Sequence, residues 1–152
     1  MSSNGSYTIS SMQRSDIDKM VDLLRQLFSI EADFNVDPDK QRRGLELLQE
    51  SEVAEIFVVR SARQEVVAMV TLQLVVSTAE GGLVAWMEDV VVDADHRGQG
   101  VGEFLLSHIN RWVESRGIKR VQLVADRDNR SAIEFYKKQG WQEINLNVLR
   151  HQ

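Results

Sequence analysis

The segment DADHRGQGVG, residues 93–102, places Gly98, Gly100 and Gly102 at alternate positions directly behind Arg97, where a helical pattern begins. A glycine inside a helix costs roughly 1 kcal/mol relative to alanine, so three within five residues need a local reason. A strand, a glycine-rich turn and a helix N-terminus together make an anion site. The N–H groups of the first helical turn have no partner within the helix, and the macrodipole favours negative charge there. Without Cβ atoms the backbone approaches a diphosphate closely, and successive N–H groups form a concave nest. Arg97 adds a charge-assisted contact to the anion or a brace for the loop. The competing explanation is a plain strand-to-helix turn in which glycine supplies only unusual dihedrals. Spacing excludes two common nucleotide motifs. The third glycine of G-x-G-x-x-G would fall on Glu103, and no G-x-x-x-x-G-K-[ST] run exists.

The elements needed to hold such a turn are present on both sides of it. LVAWMEDVVVD, residues 83–93, reads as the strand that leads in. From Gly100 the pattern turns helical, with Val101, Leu105, Ile109 and Trp112 on one face and Gly117 as a left-handed stop. Upstream, SYTISSMQ reads as a first strand and RSDIDKMVDLLRQLFSI as a helix, with Ile17, Met20, Val21, Leu24, Leu27 and Phe28 on one stripe. Ser15 and Asp18 resemble a capping box at its start. EADFNVDPDK is an acidic loop with the only proline, and KQRRGLELLQE a shorter helix. AEIFVVRS and EVVAMVTLQLVVS are strands joined by the polar SARQ, and TAEGG is a second hairpin turn. Downstream come a short buried strand, VQLVA, then a helix in DRDNRSAIEFYKKQG that closes at Gly140. WQEINLNVLR reads as a last strand. The predicted order is β-α-α-β-β-β-α-β-α-β, one α/β domain over residues 1–152 with a mixed sheet.

Totals limit the functions open to this domain. With 18 Lys+Arg against 23 Asp+Glu the formal charge is −5, which argues against nucleic acid as a partner. The chain has no cysteine, which removes disulfides, zinc-thiolate sites and thiol catalysis and suits the cytoplasm. His96, His108 and His151 are too scattered for a metal-ligand set, so no metal is expected. No apolar run approaches the roughly 20 residues of a membrane helix, so no membrane partner is expected either.

Two motifs at matching distance carry a family resemblance. RGQGVG fits the [QR]-x-x-G-x-[GA] pattern of the GCN5-related N-acetyltransferases (GNAT) through Arg97, Gly100 and Gly102. DNRSAIEFYKKQGWQ resembles the family's N-x-x-A-x-x-x-Y-x-x-x-G-[FW] block through Asn129, Ala132, Tyr136, Gly140 and Trp141. The resemblance covers roughly residues 86–142 in motif and the rest in layout. It implies a single-domain GNAT-like α/β fold whose mixed, twisted sheet splays two central parallel strands to admit acetyl-CoA, with flanking helices.

The resemblance also implies roles. Val90, Val91 and Val92 offer backbone groups to the pantetheine arm. Gly98, Gln99, Gly100, Val101, Gly102 and Glu103, behind Arg97, hold the pyrophosphate. Asn129 contacts the pantetheine, with helix capping an equal alternative or companion. Tyr136 protonates the departing CoA thiolate, and Glu88 takes the proton of the attacking amine directly or through water. Strand alternation puts Glu88 and Asp89 on opposite faces, so one of them faces the acceptor. The helices and loop near the N-terminus frame the acceptor, where Glu31 and Asp33 (with Asp37 and Asp39) favour a cationic amine. A peptide N-terminus is the other acceptor, and a non-catalytic acyl-CoA-binding regulatory module the rival class. The resemblance allows a homodimer formed through the last strand.

Overall fold

The computed structural model describes residues 2–4, 6–31 and 35–152. Strands β1 (Ser2–Asn4), β2 (Tyr7–Ser11), β3 (Ala54–Arg60), β4 (Val66–Ser77), β5 (Gly82–Val92) and β6 (Val121–Gln122) form one six-stranded sheet in chain order. All neighbours are antiparallel except β5 and β6, which run parallel. Helices α1 (Ile17–Ile30), α2 (Pro38–Glu50), α3 (Val101–Arg116) and α4 (Arg130–Lys138) accompany the sheet, so the mixed α/β architecture expected from the sequence is present.

Strand alternation sorts the core into two layers. On β3, Ile56 and Val58 pack with Met20, Leu23, Leu24 and Leu45 of α1 and α2, whereas Phe57 and Val59 pack with Leu105, Leu106 and Ile109 of α3. Neighbouring residues of one strand point to opposite faces, so α1 and α2 cover one face and α3 the other. The stripe read on α1 is buried at Ile17, Met20, Val21 and Leu24, and Gly117 ends α3 with φ +65°. That left-handed turn is one that only glycine takes without cost.

Four details differ from the sequence reading. A three-residue strand, β1, precedes the first expected one and forms a hairpin with it. The turn entering α1 is closed two residues earlier than Ser15 and Asp18 suggest, because the Gln13 N–H donates to Asp16 Oδ2 at 2.8 Å. Asp16 is buried and also receives both guanidinium arms of Arg60, at 2.8 and 2.6 Å, which pins the start of α1 to β3. The strand read in VQLVA shortens to Val121–Gln122. The last expected strand, residues 141–150, takes no strand conformation and is exposed beyond Trp141. Its alternating pattern describes a surface able to pair, and pattern alone supplies no partner.

Candidate functional site

The site begins at an irregularity in β5. Pairing with β4 steps from Met69↔Val91 to Thr71↔Glu88, two residues on β4 against three on β5. The extra residue is a β-bulge at Asp89, whose φ of +57° a short polar side chain tolerates better than most. The bulge resets the alternation. Thr71 pairs across β3 with Ile56, on the α1/α2 face. Its hydroxyl donates to Asp89 Oδ2 at 2.9 Å and to the Glu88 carbonyl at 3.2 Å. Glu88 opposes Thr71 and shares that face, so both carboxylates lie on the side of α1 and α2. The expectation that alternation separates them is overturned by one inserted residue. Glu88 is exposed. Burial pushes Asp89 up to about 6, the Thr71 hydrogen bond pulls against it, and the charge of Glu88 adds to the rise.

Asp89 therefore makes a stability prediction with a definite sign. Its folded pKa lies above its ordinary value, so the folded state holds the proton more tightly. The stability it contributes is present below about pH 4 and is lost as pH rises through about 6. Asp89→Asn keeps the size, the tolerance of positive φ and the bond to Thr71. It is expected to stabilise the protein at neutral pH by up to about 3 kcal/mol. Urea unfolding at pH 7.5 and pH 4.5 checks this: the gain must be larger at the higher pH.

Beyond the bulge the sheet opens. β6 meets β5 only at Ala85↔Val121 and Trp86↔Gln122. From Met87 to Val92 the β6-facing edge of β5 has no strand partner among the described residues, so the backbone of Val90, Val91 and Val92 lines a gap. The Val91 side chain packs toward α1, while Val90 and Val92 pack toward α3.

The gap leads to the glycine turn, which other residues hold in place. Asp93 caps the 3-10 turn Ala94–His96 through the Asp95 N–H at 3.0 Å. Lys19 Nζ and Gln26 Nε2 of α1 reach the same carboxylate at 3.3 and 3.5 Å. Burial alone would raise its pKa; these donors outweigh burial and hold it below the usual range. The Arg97 Nε–H donates to the Val92 carbonyl at 3.1 Å, a brace of the kind read for it from the sequence. Tyr7 on β2 donates its hydroxyl proton to Gln99 Oε1 at 2.8 Å. With that proton committed, His96 Nδ1, 3.0 Å away, is the donor to the Tyr7 oxygen, which fixes its tautomer.

The three glycines answer to different needs. Gly98 and Gly100 have φ +74° and +79°, and a Cβ on either would project into open space. Gly100 is the cap of α3, and its carbonyl accepts the first helical bond, from the Phe104 N–H at 3.0 Å. The N–H groups of Val101, Gly102 and Glu103 therefore stand at the open end of the helix. Gly102 is an ordinary helical residue, but a Cβ there would come within 3.0 Å of Phe135 Cζ on α4. It is a packing glycine as well as part of the loop.

On α4, Asn129 is the N-cap. Its Oδ1 accepts from the Ala132 N–H at 3.3 Å and the Ser131 hydroxyl at 3.2 Å, so the capping role is realised through the oxygen. Tyr136 lies between Phe135 and Trp141, with ring centroids 5.4 and 5.6 Å away. Burial first, and the charge of Glu31 second, push its phenol up to about 12. The half-buried Glu31, at the end of α1, is thereby brought into electrostatic reach of Tyr136. Asp33 lies outside the described residues. Asp37 caps α2 through the Lys40 N–H at 3.3 Å and Asp39 sits in its first turn, so these two acids serve a helix start. Thr71, Tyr7, Lys19, Gln26 and Phe135 support the site without any motif to announce them. Among the described residues no cluster of three or more His, Asp or Glu is placed to hold a metal, and no helix is long and apolar enough to cross a membrane.

A parallel pair of strands that separates is open to an extended molecule, and here the opening lies beside the glycine-capped N-terminus of α3. A Cβ at Gly98 or Gly100 would meet no protein atom within 4 Å. The chain belongs to the Acetyltransferase (GNAT) family, whose profile matches residues 18–141. It is 37% identical over 68 residues to an uncharacterised N-acetyltransferase of Methanocaldococcus jannaschii, a match covering 45% of this chain and 30% of that protein. It is 32% identical over 62 residues to the [ribosomal protein bS18]-alanine N-acetyltransferase of Escherichia coli, covering 41% of this chain and 42% of the relative. The matched stretch thus spans less than half of these relatives' length. The fold is similar to that of a possible acetyltransferase from Clostridium difficile, with TM-score 0.86, 20% identity and 97% of each chain covered. An aminoglycoside acetyltransferase from an uncultured soil sample shares the fold at TM-score 0.77 and 19% identity, with 98% of each chain covered.

Proposed function

We propose that this protein transfers the acetyl group of acetyl-CoA to a primary amine on a small cationic molecule, by direct attack. The observation that carries the proposal is the opening between β5 and β6, running straight to the glycine-capped start of α3. When bound, acetyl-CoA supplies an activated thioester. Backbone groups of Val90 to Val92 align its arm, and the N–H groups from Gly98 to Glu103 receive its diphosphate. The Asn129 amide nitrogen, not used by the cap, faces the arm. The Tyr136 phenol donates a hydrogen bond to the sulfur that must leave.

Four carboxyl groups favour a cationic acceptor. Glu88 and Asp89 share the α1/α2 face, and Glu31 lies beside Tyr136. Asp33 follows Glu31 two residues on in sequence. Glu88, exposed at the mouth, takes the ammonium proton directly or through water, because only the neutral amine has a lone pair for attack. Asp89 lies beneath it and gains full charge only above about pH 6. The acidic limb of the kcat/KM profile is therefore expected near pH 6. Glu88→Gln should lower turnover but keep that limb, whereas Asp89→Asn should remove it. A limb near 6 that survives Asp89→Asn would assign it elsewhere.

A peptide N-terminus is the second acceptor reading, favoured by the similarity to an enzyme named for an alanine of a ribosomal protein. The net charge of −5 weighs against nucleic acid as a partner, and a cysteine-free chain suits a cytoplasmic setting. The test is thiol release from acetyl-CoA across a panel of polyamines, amino acids, aminoglycosides and alanine-initiated peptides. Release with the small cationic amines is expected. Release with peptides alone would move the acceptor to the second reading. CoA binding without release for any amine would leave a regulatory binding module.

A further inference from the structure

The rung of the sheet next to the acidic one carries an exposed tryptophan that the reaction above leaves unused. Gln73 follows Thr71 by two residues on β4, so it shares the face on which Met69 meets α1 and α2. Trp86 pairs with Gln73, and Gln122 of β6 pairs with Trp86, which sets all three in one row. Their neighbours Leu72, Ala85 and Val121 pack toward α3, as alternation requires. Glu88 stands two residues beyond Trp86 on the same strand and face, roughly 6.8 Å away at about 3.4 Å per residue. Trp86 is 38% exposed, and Val75, next along that face of β4, is 41% exposed.

Charge changes sharply between the two rungs. Glu88 and Asp89 make the first one acidic, whereas the row of Trp86 holds an indole between two amides. Such a row offers a flat apolar surface with hydrogen-bonding groups at its sides. At its β6 end stands a cation. Arg120 Nε donates to Gln122 Oε1 at 3.2 Å, and Arg120 Nη1 pairs with Glu80 at 3.3 Å. A second ammonium laid over Trp86 would approach that guanidinium, so the pattern opposes a molecule charged at both ends.

We infer that Trp86 is a specificity-determining residue whose indole stacks on a flat ring of the acceptor while the acceptor's amine reaches Glu88. The acceptor is then an amine joined by a short linker to an aromatic ring, charged at one end only. An aromatic ring over an indole gains from offset stacking as well as burial, whereas a saturated chain gains from burial alone. The inference rests on the reaction proposed above for the amine end, and Trp86 specifies what lies behind that amine.

Calorimetry with CoA present, run beside thiol release from acetyl-CoA, tests it on the full chain with 2-phenylethylamine, butylamine and butane-1,4-diamine. The phenyl compound is expected to bind the wild type at least about tenfold more tightly than either of the others. The same preference should appear in kcat/KM, carried by KM. Trp86→Ala is expected to cut the preference by at least about fivefold, and Trp86→Phe to restore most of it. Should the alanine variant not fold, judged by circular dichroism, Trp86→Leu keeps apolar bulk without the ring and carries the same expectation. Val76→Ser, two residues beyond Leu74 and so on the α3 side, should leave the preference intact. Ring-dependent binding that Trp86→Ala abolishes, with no thiol release, would strike the transfer reaction and keep the stacking site. A wild type without the phenyl preference, or a preference that survives loss of the indole, overturns the inference.

Discussion

Tyr136→Phe is expected to lower turnover by between tenfold and about 10³-fold while acetyl-CoA still binds, a range set by what positioned acid catalysis contributes. The change removes one oxygen and keeps the ring that packs between Phe135 and Trp141, so fold and cofactor affinity should barely move. The raised pKa decides how the phenol acts. At about 12 it is fully protonated at any working pH, and so always a donor. Complete transfer of its proton to a thiolate of ordinary pKa, roughly 8.5, would be uphill by about 5 kcal/mol. In the proposed reaction the hydroxyl would therefore work mainly as a hydrogen-bond donor that stabilises charge developing on sulfur, an interaction stronger in the transition state than before it. Solvent can take over part of that duty, which explains the lower end of the range. Steady-state rates with calorimetric CoA affinities on the same preparation check this. Wild-type turnover with phenylalanine at 136 would reduce the hydroxyl to a structural role.

Gly100→Val is expected to weaken CoA at least tenfold, about 1.4 kcal/mol. The present geometry gives two separable reasons. A Cβ at position 100 meets no protein atom within 4 Å, so it projects into open space, the volume proposed to receive the diphosphate. The φ of +79° is also one that a β-branched residue resists, which costs stability whether or not ligand is present. Gly117→Ala separates the two. It sits at φ +65° at the far end of the same helix, so it carries a comparable strain and no contact with the anion. Calorimetry should show near-normal CoA affinity for Gly117→Ala and a marked loss for Gly100→Val, with both variants folded. Equal affinities would remove the diphosphate from this loop.

The sequence was most legible where one residue type has few uses. Glycine at left-handed turns marked Gly100 and Gly117, and apolar stripes at helical spacing marked α1 and α3, because burial and sterics act there through the residue alone. Legibility failed where the outcome depends on pairing. Nothing in EDVV shows that β5 gains a residue against β4, since a bulge is a property of two strands in register. That is why Glu88 and Asp89 end on one face. Tyr7 and Thr71 support the site through contacts 92 and 18 residues away along the chain, which no local pattern encodes. The acidic loop carried a second use that its charge did not announce: Asp37 also caps α2. Residues 141–150 have the period of a strand, and the period says nothing about which edge receives it.

The contact between Gly102 and Phe135 sets a length. In the proposed reading the diphosphate falls to α3 and the thioester sulfur to α4, two helices separated in sequence by β6 and a loop, so the spacing of these helices bears on how one cofactor reaches both. At position 102 the clearance to the Phe135 ring leaves no room for even a methyl group without displacement. Phe135 is in turn the immediate neighbour of Tyr136. The glycine thus works as a spacer of the smallest available size, a gauge block between the helix proposed to receive the anion and the helix that carries the phenol. Any larger residue would require the Phe135 ring, and with it the neighbourhood of Tyr136, to give way.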